Sequence, residues 1–256
     1  MPTLHLETLI TAVLFAGVRI GSLLLFSPFL GSEAVPMGIK AALTIALTAL
    51  LWPVYGPLEI AADAVGWLRV VCGEVMIGLL LGLSLQFVFE AVQFAGQVMG
   101  VQAGFSLITL LDPQTQADTP VLSIFCQLVA LLIFLQLNVH HWLLRGLAAS
   151  FSYLPPGSVL GGRGPVLGLL QAAEGIWLAG LQIAAPVVAA TLIADVALGF
   201  VGKASPQLPV VFVGLPIKTL ASLAVLAGSI GLWTRFFEGQ FSNALVWSER
   251  LLHLAR

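Results

Sequence analysis

Charge is what this sequence has least of. Asp, Glu, Lys and Arg make up 9% of its 256 residues, where globular domains carry about 25%, and that shortfall excludes an ordinary soluble fold. The formal net charge is −2 and the basic residues are scattered, so the basic face that nucleic acid binding requires is missing. Cysteine is equally sparse. Cys72 and Cys126 stand alone inside apolar runs and read as small buried hydrophobes, without disulfide or metal-ligand spacing. Catalytic patterns are absent too: there is no His-Glu-x-x-His, no Gly-x-Ser-x-Gly and no phosphate-binding Gly-Lys-Ser/Thr. The neighbours His140 and His141 would project about 100° apart on a helix, and the other two histidines, His5 and His253, stand far from them without metal-ligand spacing. The sequence is therefore expected to hold no catalytic residue, no cofactor and no metal. No basic stretch precedes the first apolar run, since Glu7 comes well before Arg19, so a cleaved signal peptide is not expected.

What is present is apolar surface. The chain is 59% hydrophobic with a mean hydropathy of +1.05. Several runs approach the ~20 apolar residues that cross a bilayer as a helix, whereas a β-barrel would show alternating strands of ~10 residues. Six segments qualify: 9–30 (broken by Arg19), 41–58, 70–89 (holding Glu74), 121–139, 176–194 and 208–233 (holding Lys218). Three of the six, the first, third and sixth, hold a charge, so much of the chain is expected to face protein or water instead of lipid. Prolines are frequent, with Pro186 inside the fifth segment and Pro216 inside the sixth, and each removes a backbone hydrogen bond that neighbours must replace. The fold class that follows is an all-α membrane protein of about six kinked apolar helices or helical hairpins, forming a single domain over residues 1–256. Summed over alternate loops, one side carries Arg69, Arg145, Arg163, Arg235, Arg250 and Arg256 and the other only Lys40 and Lys203, which favours cytoplasmic termini. Residues 235–256 space apolar side chains near 3.6 and predict an amphipathic tail, lying either on the membrane surface or on a partner.

Polar residues gather at three places. In the third segment Glu74, Gly78, Gly82, Gln86, Glu90, Gln93 and Gln97 recur at spacings of three or four, close to one helix face. Gly78 and Gly82, with Gly96 further on, are expected to let another helix approach closely. Gln86, Glu90, Gln93 and Gln97 either hydrogen-bond between helices or line an aqueous path. Next, the stretch 104–120 has Gly104 at its start and Gly100 one turn before it, an apolar middle and the turn Asp112-Pro113. It is either a plain connection or a segment that folds into a cavity. Finally, Asp195, Lys203 and Lys218 form a candidate polar cluster. Two helical turns hold Asp195 and Lys203 about 12 Å apart along the axis, too far for an ion pair, so each needs another partner. The cluster is either structural or part of a solute or proton path.

The ordered set Arg19, "SPFLGSEAVP", "GEVMIGLLLG", "AVQFAGQVMGVQAGF", "LLDPQ", "ASFSYLPPG" and "LGFVGKASPQLPVVFVGLPIK" resembles the FliR family of flagellar type III export gate subunits, homologous to the injectisome SctT proteins. The likeness runs over essentially the whole chain. It implies a funnel-like hetero-oligomeric gate built with FliP and FliQ, associated with FlhB, in the bacterial inner membrane at the flagellar basal body. Exported unfolded flagellar proteins would pass through its centre. By the same resemblance, loop 104–120 would be a pore-closing plug: Phe105, Leu107, Ile108, Leu110 and Leu111 would seal it ahead of Asp112 and Pro113, Gly100 and Gly104 would let it swing, and Gln86, Glu90, Gln93 and Gln97 would belong to the pore wall. The family more often has Arg where this chain has Lys203, Asn at Pro209 and Gly at Val139; lysine keeps the charge but lacks the planar fork. The alternatives are an injectisome SctT-type subunit and a small-solute secondary transporter, although internal repeat symmetry of the transporter kind is not evident.

Overall fold

In a computed structural model, residues 2–32, 35–51, 64–105, 121–156, 164–205, 207 and 210–254 are described. Among them the chain is helical, with no strand: α1 (Pro2–Phe26), α2 (Met37–Leu51), α3 (Ala64–Gln102), α4 (Val121–Gln136), α5 (Val139–Tyr153), α6 (Gly164–Ala204) and α7 (Val210–Leu254). The all-α membrane expectation holds. The six apolar segments fall in order mainly on α1, α2, α3, α4, α6 and α7, with 52–58 of the second and 208–209 of the sixth outside the described residues. α3, α6 and α7 are each long and apolar enough to cross a membrane, and α4 with α5 supplies a fourth span if the two count as one broken helix.

Three differences from the sequence reading have local causes. A separate helix, α5, follows α4 because Asn138 takes the left-handed conformation (φ 55°), which few residues other than glycine and asparagine adopt cheaply. The expected tail is the end of α7, since no proline stands between 233 and 254. And α3 runs for 39 residues, about 58 Å at ~1.5 Å per residue.

The chain divides into two compact units, with α3, α6 and α7 contributing to both. The first comprises Met1–Phe87, Leu137–Ala173 and Gln240–Arg256. Its core is the stripe Ala12, Phe15, Ala16, Ile20, Leu23 and Leu24 of α1, together with Ile77, Leu80, Leu81 and Leu85 of α3, Leu143, Leu147 and Phe151 of α5, and Phe241. α1 and α3 run parallel: Phe15 stacks on Trp67 at 5.1 Å between ring centroids, and further along Gly82 meets Phe26.

The second unit comprises Val88–Gln136 and Glu174–Gly239. Here the later part of α3 buries Val92, Ala95 and Met99, α4 buries Cys126 and Ala130, α6 buries Ala184 and Val187, and α7 buries Trp233 and Phe237. Edge-on aromatic pairs join its helices, Phe89 with Phe134 and Phe94 with Trp177, at 5.8 and 4.7 Å between centroids.

Candidate functional site

The first unit is pinned at a buried charge. Arg19 lies in the middle of the apolar stripe of α1, wholly inside, as is Glu74 of α3. Its Nε donates to Glu74 Oε2 at 2.6 Å, one terminal nitrogen to Ser150 Oγ at 3.2 Å and the other to the Leu154 carbonyl at 2.9 Å. The guanidinium carbon also sits 4.4 Å from the centroid of the Phe151 ring. One side chain thus ties three helices together, and it holds the carbonyl just after α5, where Pro155 prevents the helix from continuing. The sequence offers Arg19 as a break in the first apolar run and Glu74 as the start of the polar row on α3, and does not pair them. The signal that could have joined them was that opposite charges stood in two apolar runs, since charges at membrane depth pair with one another or with carbonyls.

The packing glycines lie where backbones meet. A Cβ on Gly78 would fall on Ser22 Oγ and the Arg19 carbonyl of α1, and one on Gly82 would sit 2.9 Å from Phe26 Cβ. In the second unit a Cβ on Gly96 would meet the backbone of Ser123, whose hydroxyl donates to the Gln93 carbonyl at 3.0 Å. So α1 and α4 each approach α3 at a glycine.

The polar residues of α3 divide into two sets. Glu74 is buried, whereas Gln86, Glu90 and Gln93 are half-exposed and Gln97 is exposed. The reason is geometric: four residues exceed one turn by about 40°, so the steps from Glu74 to Gln86 rotate the row by about a third of a circle. A continuous one-face stripe, as the spacing suggested, does not form.

α3 ends in a Schellman motif. The Phe105 amide donates to the Gly100 carbonyl at 3.0 Å and the Gly104 amide to the Val101 carbonyl at 3.1 Å, with Gly104 at φ +91°, the left-handed position this cap requires. Thr219 of α7 donates to the Ala103 carbonyl at 2.8 Å, closing the same end. Gly100 lies within α3 and is buried. Of the proposed loop residues, Leu107, Ile108, Leu110, Leu111, Asp112 and Pro113 lie outside the described residues.

In the polar cluster, α6 and α7 bring Asp195 and Lys218 together, with Nζ 2.8 Å from Oδ1 and 2.9 Å from Oδ2. The lysine side chain is 20% exposed and the aspartate 45%, and the pair borders a cleft of about 360 Å³ with Leu198, Gly199, Gly202, Gly214 and Leu215. Lys203 is exposed and is not among the residues that line this cleft.

Comparison with known proteins adds a family. The model of bacterial export proteins, family 1, matches residues 10–244. The flagellar biosynthetic protein FliR of Escherichia coli (strain K12) is 31% identical over 226 residues, covering 88% of this chain and 87% of that protein. The protein of the same name from Pectobacterium carotovorum is 32% identical over 229 residues, with 88% and 87% covered. That of Bacillus subtilis (strain 168) is 32% identical over 222 residues, 85% of each.

Proposed function

The chain belongs to family 1 of the bacterial export proteins, and from that premise we propose that it is the FliR-type membrane subunit of a flagellar type III protein export gate. Its relatives are named flagellar biosynthetic proteins, which supports flagellar over injectisome use. The observation that carries the reading is uneven burial. In their most apolar stretches, α3 has 61% of its residues buried, but α6 only 22% and α7 only 17%. At ~1.5 Å per residue the 41 residues of α6 and 45 of α7 extend about 62 and 68 Å, twice the ~30 Å of hydrocarbon. Lipid can cover only part of such helices; the rest of their apolar surface calls for protein neighbours.

FliP and FliQ are those neighbours in this reading, FlhB associates with the assembly, and unfolded flagellar proteins traverse it at the basal body in the inner membrane. The half-exposed Gln86, Glu90 and Gln93 and the exposed Gln97 face the wet passage or bond to an adjoining subunit. Loop 104–120, which starts at the glycine cap of α3, closes the passage at rest, with Phe105, Leu107, Ile108, Leu110 and Leu111 as its apolar seal. The Asp195–Lys218 pair neutralises two charges beside helices that membrane or subunits must cover.

The test is a strain lacking this chain. It should fail to export flagellar proteins to the medium and recover when the chain is restored. From the restored strain, the tagged chain should co-purify from membranes with FliP and FliQ in one large particle. Normal export without the chain, or purification as a solitary stable bundle, would overturn the reading.

A further inference from the structure

The hairpin of α1 and α2 carries a groove for which the export reading has no use. A Cβ on Gly17 would lie 3.7 Å from Thr48 Oγ1, and one on Gly21 would lie 3.6 Å from Thr44 Cγ2, so the two helices run antiparallel and touch along a seam of small residues. Beside that seam the short side chains leave a furrow of about 570 Å³, with Leu14, Ile45 and Ala49 on its walls, inside the range of about 300–1,000 Å³ usual for ligand sites. It is open, since Leu14 is 54% and Ile45 70% exposed.

Its chemistry is selective. The polar side-chain groups on its lining are the hydroxyls of Thr44 and Thr48. Each donates to the carbonyl one turn back, Lys40 at 2.8 Å and Thr44 at 2.7 Å. A polar ligand would gain little there, whereas an apolar chain gains about 25 cal/mol for each Å² taken out of water. One end is charged. Lys40 precedes Thr44 by one turn on the same face of α2, at the loop end of the hairpin, where its ammonium donates to the Gly31 carbonyl at 3.1 Å with one of its three N–H groups.

We infer that this groove binds one acyl chain of an anionic phospholipid, lying along α1 and α2 with its phosphate at Lys40. The apolar lining accounts for the chain and the lysine for the headgroup. The inference needs the protein to be in a membrane, but it does not depend on export.

The test uses the full chain in phosphatidylcholine vesicles containing phosphatidylglycerol with a photoreactive acyl chain. After illumination, adducts should concentrate on 13–18 and 44–49. Lys40→Gln should lower that labelling about fivefold while sparing labelling by a photoreactive phosphatidylcholine, and Gly17→Phe, which fills the furrow, should lower both. Even labelling of the wild-type chain along the groove and the open faces of α6 and α7 would overturn the inference. So would a benzophenone side chain at Ile45 that cross-links, in native membranes, to another protein or to this chain's own 52–63 segment.

Discussion

At the scale of single residues, the Arg19–Glu74 pair is an ion pair buried wholly inside the first unit. Withdrawing two charges from water costs several kcal/mol per ion, and their attraction repays this only when the remaining donors and acceptors are met. Here the arginine's remaining donors are met by Ser150 and the Leu154 carbonyl, and its face by the Phe151 ring. Arg19→Met takes the cation from a buried carboxylate and should destabilise by about 3–5 kcal/mol, seen as a lower thermal midpoint and yield in detergent. Adding Glu74→Met should restore most of the loss, because two apolar side chains leave no buried charge. Equal losses in the single and double variants would show that the pair acts through packing alone. The sequence displayed both charges, yet it could not pair them: a separation of 55 positions carries no local signal, and several other charges competed as partners.

Among elements, the contacts are set by where glycine permits backbones to meet. Gly78→Ala places a methyl on the backbone of α1 and should cost about 1–3 kcal/mol as overpacking. Gly175→Ala, on α6 with nothing within 4 Å, should instead stabilise its helix by about 0.5–1 kcal/mol. Thermal midpoints of the two variants should move in opposite directions; a matched fall in both would mean that α1 does not pack at Gly78. Gly104→Ala forces an alanine into the left-handed region at a cost of about 1–2 kcal/mol and also meets Leu215. Faster amide hydrogen exchange in the last turn of α3 would report it. The Gly-x-x-x-Gly spacing announced close approach, and the structure supplies the partner helix. The stripe was less legible, because a four-residue step resembles a fixed face over two turns and drifts off it over six. The break at Asn138 is illegible for a different reason: an asparagine within an apolar run does not advertise a left-handed backbone.

For the whole molecule, composition alone fixed a helical membrane protein, because 59% hydrophobic residues and 9% charge allow few other solutions. The division into two compact units was not visible, since it depends on contacts among distant segments. Nor could the sequence say which apolar faces close within the chain and which await neighbours, a distinction that burial draws between α3 and the pair α6 and α7. That distinction bears on the loop. In the export reading the passage is built by several chains, so a stopper carried on this one must start from a fixed point, and the Schellman cap at Gly104, held further by Thr219, provides one. Removing most of 106–118 while keeping that cap should leave assembly with FliP and FliQ intact and make the resting complex leak ions, measured as conductance in planar bilayers or as salt-induced swelling of cells. The helices would be unchanged and only the apolar seal lost. A fully assembled complex that stays as tight as wild type would show that 104–120 is a plain connection between α3 and α4, and that closure is carried by another subunit.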